Sequence, residues 1–239
     1  MHNLVDTGDS VSLSVMKRPS IFLALFVVVS IAELLAVSRG WGEVHILSKS
    51  LIMLSLIGYY MGTVSQRNSH FIRAMFFCWT GDVLLLKQAD GEIFFILGLV
   101  SFLIGHLLYI FAYRELRWAD KARGLLMPQK IRVSFPVALA GTGLIVVLLP
   151  TLGGLMVPVI VYAIVLMGMV MASFFRFGRT TPDSFWLVSA GALFFMVSDS
   201  VLAINKFRSP FELAGPLIML TYILGQFLIA EGVIRHTRQ

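Results

Sequence analysis

Apolar runs of about 20 residues recur along the whole sequence, and this repetition constrains the fold more than any other feature. Each run is long enough to cross a hydrocarbon core of about 30 Å as an α-helix. The composition agrees, because 58% of the 239 residues are hydrophobic and only 13% are charged, whereas a soluble domain carries about 25% charged residues. The sequence therefore predicts an all-α, polytopic, integral membrane protein.

Eight transmembrane helices in one bundle are predicted, with no soluble domain inserted between them. The predicted spans are 19–38, 44–65, 71–88, 92–114, 133–150, 154–175, 184–206 and 211–235. Residues 1–18 are predicted to form a polar N-terminal tail, and residues 19–237 a single transmembrane domain. No small-residue cleavage pattern closely follows Met16-Lys17-Arg18, so the first span is interpreted as a retained anchor rather than a signal peptide.

The distribution of basic residues predicts the orientation. With eight spans, most of the 19 Lys and Arg residues fall on the side of the N-terminus, and only Arg39, Lys87, Lys206 and Arg208 fall on the other. The positive-inside rule then predicts that both termini are cytoplasmic. The same asymmetry accounts for the net charge of +6, so no nucleic-acid partner is expected. The expected surroundings are a lipid bilayer, which would be the cell membrane in a bacterium.

Four charged side chains fall inside the predicted spans. Asp82 lies in the third span, within RAMFFCWTGDVLLLK, and Asp199, preceded by Ser198, lies in the seventh. Glu33 lies late in the first span and Lys49 early in the second. Given the alternating direction of the spans, all four charges are expected at a similar depth on the non-cytoplasmic side.

A lipid-facing position for these charges would be costly. Each costs about 2.5–3.5 kcal/mol at the centre of a span, so four would cost on the order of 10–14 kcal/mol. They are therefore expected to face one another or a water-filled cavity, and intramembrane charges are functional candidates by default. The alternative is an ion-pair network that serves only packing, for example Lys49 with Glu33 or Asp82.

Two pairs of polar residues nearer the midplane are predicted to share a helix face. His106 and Tyr109 are three residues apart in the fourth span, and Tyr222 and Gln226 are four apart in the eighth. Side chains at these spacings are neighbours on a helix surface. His106 is interpreted either as a group that orients a carboxylate or water, or as an interior histidine with satisfied hydrogen bonds.

Six segments of the sequence, taken together, resemble the YhhN family, the lysoplasmalogenase family of multi-pass membrane proteins. They are KSLIMLS, CWTGDVLLL, GLVSFLIGHLLYIFAY, VPVIVY, GALFFMVSDSVLA and YILGQFLIAEG. The resemblance covers roughly residues 20–235, with a weak match in the first span, so it does not support a role for Glu33.

The resemblance implies hydrolysis of the vinyl ether bond of a lysophospholipid, lysoplasmenyl-ethanolamine or -choline. The products would be a fatty aldehyde and a glycerophospho-amine, and no cofactor is expected. The family's two aspartates correspond to Asp82 and Asp199, which become the candidate catalytic residues. The candidates for substrate binding or support are Lys49, His106, Tyr222 and Gln226 from the resemblance, together with Tyr109, Tyr162, Ser198 and Glu33.

Two intramembrane carboxyl groups suit this chemistry. Protonation of the β-carbon of a vinyl ether gives an oxocarbenium ion, to which water adds before the hemiacetal collapses. Burial favours the protonated form of a carboxylic acid, which can then act as the general acid. A second, ionised carboxylate can balance the cation or activate water, as in glycosidases. Lys49 could hold one aspartate ionised, and the sequence does not assign the two roles.

Three alternatives remain at the level of sequence. A zinc hydrolase is disfavoured because only His106 lies inside a span and no HxxxH or HExxH motif occurs, whereas zinc usually needs several nitrogen or sulfur ligands. Facing carboxylates also occur in proton-coupled transporters of lipids or small molecules, and a weak similarity between spans three–four and seven–eight would fit a parallel repeat. The third alternative is a receptor or scaffold.

Overall fold

The chain forms an all-helical bundle in the computed structural model, which describes residues 8–238, with side chains described from Ser20 onward. No strand occurs within residues 8–238. Two single 3-10 turns, Leu149–Thr151 and Gly153–Leu155, connect α5 to α6. The eight helices are α1 (Gly8–Arg39), α2 (Gly42–Thr63), α3 (Ser69–Leu86), α4 (Glu92–Glu115), α5 (Met127–Leu148), α6 (Met156–Phe174), α7 (Pro182–Phe207) and α8 (Ala214–Thr237).

Seven helices of the described chain are long and apolar enough to cross a membrane. This confirms the prediction of an integral, multi-pass membrane protein. The helix that is not among the seven is α3, which has 18 residues and carries Arg73 and Asp82. The eighth span therefore stays a prediction, as does the orientation of the termini.

One predicted helix boundary is wrong, that of α5, whereas the apolar part of α1, Ser20–Arg39, agrees with the first predicted span. Helix α1 itself begins at Gly8, within the predicted polar tail, whose residues 1–7 lie outside the described chain. No Gly or Pro lies between Gly8 and Pro19 to stop a helix there. Helix α5 begins at Met127 rather than 133, with a proline in its first turn, where the fixed φ of proline suits a helix start.

Helix α8 lies at the centre of the bundle and is the most buried of the seven membrane-spanning candidates. It packs closely along α7 because glycines meet at the crossing. A Cβ added at Gly191 would lie 2.7 Å from the carbonyl oxygen of Gly225, so only a glycine allows this approach. The close crossing fixes the position of Asp199 on α7 relative to Tyr222 on α8.

Arg176, which the sequence places in a basic loop, is fully buried between α6 and α7. Its guanidinium donates to the carbonyl of Leu116 and to Ser184 and Thr180, and it lies 5.9 Å from the centre of the Tyr113 ring. Burial lowers the pKa of Arg176 to about 10, because desolvation disfavours the charged form. Arg176 stays charged at neutral pH and ties the α4–α5 connection to the start of α7.

Candidate active site

Asp82 forms a buried pair with a tyrosine of the central helix. The Tyr222 hydroxyl of α8 donates a 2.6 Å hydrogen bond to Asp82 Oδ2, and Asp82 is only 2% exposed. A Cβ at Gly81 would lie 2.6 Å from the Phe102 ring, so the glycine before Asp82 makes room for that ring. Phe102 in turn meets the Tyr222 ring edge-on, with centroids 6.2 Å apart.

Asp199 forms a second aspartate–tyrosine pair. The Tyr162 hydroxyl of α6 donates a short hydrogen bond to Asp199 Oδ2. His106 Nε2 of α4 lies 4.0 Å from the same oxygen, beyond direct hydrogen-bonding distance. The structure thus brings Asp199, Tyr162 and His106 together from three different helices.

His106 is fully buried, and neither of its ring nitrogens has a hydrogen-bond partner among the described side chains. No group among the described residues therefore satisfies His106, and its role stays a prediction. Its ring meets Tyr162 and Phe195 edge-on, with centroids 5.2 and 4.8 Å apart. A buried polar group without a partner calls for an explanation, commonly an internal water.

Phe195 connects the two aspartate–tyrosine pairs. Its ring lies 5.5 Å from the Tyr222 ring on one side and 4.8 Å from the His106 ring on the other. The two pairs therefore belong to one aromatic-walled region at the heart of the bundle.

Tyr109 and Gln226 meet deeper in the bundle, toward the C-terminal ends of α4 and α8. The Tyr109 hydroxyl donates a 2.7 Å hydrogen bond to Gln226 Oε1. The Gln226 Nε2 group is buried and has no partner among the described residues. Ser198 has a different place, because its hydroxyl donates to the carbonyl of Ile218 and so ties α7 to α8.

Glu33 pairs with His45 rather than with Lys49, so the ion pair suggested between Lys49 and Glu33 is wrong. The fully buried Glu33 carboxylate contacts His45 Nδ1 at 2.9 Å and accepts a 2.7 Å hydrogen bond from Ser48 Oγ. No salt bridge to Lys49 occurs among the described side chains, so the suggested pair with Asp82 is not formed as a direct contact.

His45 was not among the candidates, because it follows the predicted start of the second span by a single residue. The sequence feature that could have identified His45 as a candidate is the short connection between α1 and α2. This connection brings the last turns of α1 beside the first turns of α2, and hence Glu33 beside His45.

Asp199 opens into an apolar cleft between α3, α4, α5, α6 and α7. The cavity volume is about 60 Å³, below the range of small-molecule sites of about 300–1,000 Å³, so a lipid chain would have to widen the cleft. Asp199, Tyr162 and Ser200 are its polar residues. The remaining lining residues are Leu85, Phe95, Leu99, Phe102, Leu144, Ile145, Leu148, Val159, Ala163, Leu166, Leu202, Ala203 and Phe207.

Lys49 opens into a second cleft of about 370 Å³, here called the polar cleft. It lies where α1 and α7 end and α2 and α8 begin. Its lining residues are Ala36, Val37, Gly40, Trp41, Gly42, His45, Lys49, Gln88, Leu202, Asn205, Gly215, Ile218 and Met219. Leu202 lines both clefts, so they adjoin across this one side chain of α7.

Within residues 8–238, no group of three or more His, Cys, Asp and Glu side chains is arranged to hold a metal ion. The donor set around Asp199 is one carboxylate, one tyrosine hydroxyl and one imidazole. Such a set can give and take protons and can place a water molecule.

Comparison with known proteins places the chain in a family. The sequence model of the YhhN family matches residues 44–233. The chain is 30% identical over 163 residues to Lysoplasmalogenase TMEM86A of Homo sapiens, which covers 66% of this chain and 62% of that protein. It is 29% identical over 191 residues to Lysoplasmalogenase TMEM86B of Homo sapiens, covering 79% and 75%.

A bacterial relative, the lysoplasmalogenase of Mycobacterium tuberculosis, is 31% identical over 141 residues, which covers 58% of this chain and 50% of the relative. The chain thus spans less than two thirds of the length of TMEM86A and of the bacterial relative. No solved structure matches the chain. The family match extends over well more than half of the sequence, and the chain therefore belongs to the YhhN family.

Proposed function

We propose that this protein is a membrane-embedded lysoplasmalogenase, which hydrolyses the vinyl ether bond of a lysoplasmenyl phospholipid to a fatty aldehyde and a glycerophospho-amine. The observation that carries the proposal is the position of Asp199. It is a carboxyl group bound by Tyr162 at the wall of an apolar cleft, inside a chain of the YhhN family. The relatives named lysoplasmalogenase in Homo sapiens and Mycobacterium tuberculosis agree with this activity.

Asp199 is proposed as the general acid. It lines the cleft that would take the alkenyl chain, so its carboxyl group can reach the double bond. The Tyr162 hydroxyl donates to Oδ2, which leaves Oδ1 to carry the proton. Transfer of that proton to the β-carbon of the vinyl ether makes the α-carbon an oxocarbenium centre, and such a proton transfer typically contributes about 10²–10⁴-fold to the rate.

Asp82 is proposed as the ionised carboxylate that stabilises the cation. Its Oδ2 accepts a hydrogen bond from Tyr222, as Oδ2 of Asp199 does from Tyr162, but Asp82 does not line the apolar cleft and so is not placed to protonate the double bond. Phe195 and Phe102 line the region between this pair and Asp199. Two carboxyl groups in unlike protonation states then divide the acid and electrostatic roles, as in glycosidases.

His106 is proposed to hold the hydrolytic water. Its Nε2 is 4.0 Å from Asp199 Oδ2, and both ring nitrogens lack a protein partner. A water between them would satisfy the imidazole and would lie beside the carbon that becomes electrophilic. Asp199, once it has given up its proton, can take one back from this water.

All eight helices are proposed to cross the membrane, with both termini in the cytoplasm. Helix α3 has 18 residues, which at 1.5 Å per residue gives about 27 Å. It packs along α4, and only five residues, 87–91, connect the two. Asp82 is then an interior charge rather than a reason to exclude α3 from the membrane.

Turnover by the purified wild-type protein tests the proposed activity. We expect aldehyde release from lysoplasmenyl-ethanolamine and no release from the saturated 1-O-alkyl analogue, which has no double bond to protonate. Activity should persist in the presence of a metal chelator. If monodisperse protein releases no aldehyde, the proposed activity is wrong. A transport assay in vesicles then tests the alternative function, that of a transporter. If the chelator removes activity, the metal-free mechanism is wrong.

A further inference from the structure

The polar cleft combines one cation with several hydrogen-bond donors. Lys49 supplies the charge, and no Asp or Glu lies among the residues that line the cleft. Asn205 accepts a hydrogen bond from the backbone amide of Phe211 through Oδ1, so its NH₂ group remains as a donor. Gln88 adds a further amide. A cleft with these groups is suited to an anion that accepts several hydrogen bonds.

His45 is held in a fixed orientation at the wall of the same cleft. The buried Glu33 carboxylate contacts His45 Nδ1, and Ser48 donates to the other oxygen of Glu33. With Nδ1 occupied, Nε2 is the ring nitrogen that remains, and it has no partner among the described residues.

The distance between the two clefts is similar to the distance between the vinyl ether and the phosphate of a lysophospholipid. Asn205 follows Asp199 by six residues on α7, which is about 9 Å along the helix axis. Leu202, between them in sequence, lines both clefts. A three-carbon glycerol unit that passes Leu202 would join a vinyl ether at Asp199 to a phosphate beside Asn205 and Lys49.

We infer that the polar cleft binds the phosphate of the lysophospholipid, with Lys49 and Asn205 as its donors and with His45, held by Glu33, at its wall. The inference rests on the proposed function for the identity of the lipid. No carboxylate lines the cleft to form an ion pair with the amine beyond the phosphate.

The test measures binding rather than turnover. The probes are a saturated 1-O-alkyl lysophosphoethanolamine, which cannot undergo vinyl ether hydrolysis, and the 1-O-alkylglycerol of the same chain length, which lacks the phosphate. Wild-type protein should bind the phosphate-bearing probe about 10-fold more tightly, as expected for charge-assisted hydrogen bonds. Lys49→Met should remove most of this preference, and Lys49→Arg should retain most of it.

Lys87→Met is the matched control, since Lys87 is an exposed lysine at the same end of the bundle that does not line the cleft. It should bind both probes as the wild type does. If Lys49→Met is not monodisperse, Lys49→Gln replaces it. An unchanged preference in the neutral Lys49 variant would overturn the inference.

Competition with inorganic phosphate distinguishes a site for a lipid phosphate from a site for a free anion. It should not displace the phosphate-bearing probe at concentrations that saturate ordinary phosphate sites, and displacement there would assign the cleft to free phosphate instead. Since no probe is turned over, loss of the binding preference leaves the proposed hydrolysis standing. Conversely, a protein without turnover could still show the phosphate preference, so the two failures are distinguishable.

Discussion

Asp82→Asn and Asp199→Asn are each expected to abolish aldehyde release while the protein still folds. Asparagine keeps the size of the side chain and can still accept the hydrogen bonds of Tyr222 and Tyr162. It can neither donate an acidic proton nor balance a cation. Loss of the general acid costs about 10²–10⁴-fold, and loss of the anion near an oxocarbenium ion is expected to have an effect of similar size.

The measurement is the initial rate of aldehyde release by purified, monodisperse variants. Folding should survive because a neutral amide is easier to bury than a carboxylate. Asp90→Asn is the matched control, since Asp90 is an exposed acid in the short connection after α3, and it should keep the wild-type rate. Near-normal turnover by either active-site variant would remove that aspartate from the mechanism.

Ala163→Phe is expected to lower kcat/KM for a long-chain lysoplasmalogen by about 10-fold or more. Ala163 lines the apolar cleft next to Tyr162, so a phenyl ring there occupies space that the alkenyl chain needs. Poor fit in a filled apolar site costs about 1–3 kcal/mol. A short-chain substrate should lose much less, because its chain does not reach the obstructed part.

Val161→Phe provides the control on the same helix. Val161 is 43% exposed and does not line the cleft, so its side chain faces outward from α6. The dependence of kcat/KM on the chain length of the substrate should be the same for Val161→Phe as for the wild type. An equal loss for long and short substrates in Ala163→Phe would contradict the assignment of the apolar cleft to the alkenyl chain.

The helices could be predicted from sequence because a helix that faces lipid appears in the sequence as a long apolar run. The N-terminal ends of α1 and α5 could not be predicted in this way, because both helices begin in polar segments, where hydropathy does not indicate a helix. Helix α3 shows the opposite problem. Its length is sufficient, but the buried Asp82 lowers its hydropathy, although the charge is withdrawn from lipid by its contact with Tyr222.

The partners of the polar side chains could be predicted only within one helix or across a short turn. The face shared by Tyr222 and Gln226 follows from their spacing, yet their contacts with Asp82 and Tyr109 cross between distant helices. The pairing of Asp199 with Tyr162 depends on how α6 packs on α7.

Charge type did not determine the partner of Glu33 either. The lysine of the neighbouring span was the obvious choice for an ion pair. The structure uses His45, because the α1–α2 connection brings it to the level of Glu33 and directs Lys49 into the polar cleft.

The most direct test of the central claim is turnover in heavy water, with the aldehyde trapped as it forms and analysed by mass. If a carboxylic acid protonates the β-carbon, that carbon becomes the α-carbon of the aldehyde and gains one hydrogen from exchangeable protons. We expect one deuterium per aldehyde molecule at this carbon from the wild-type protein. Aldehyde that carries no deuterium would contradict proton transfer to carbon, and with it the acid role of Asp199.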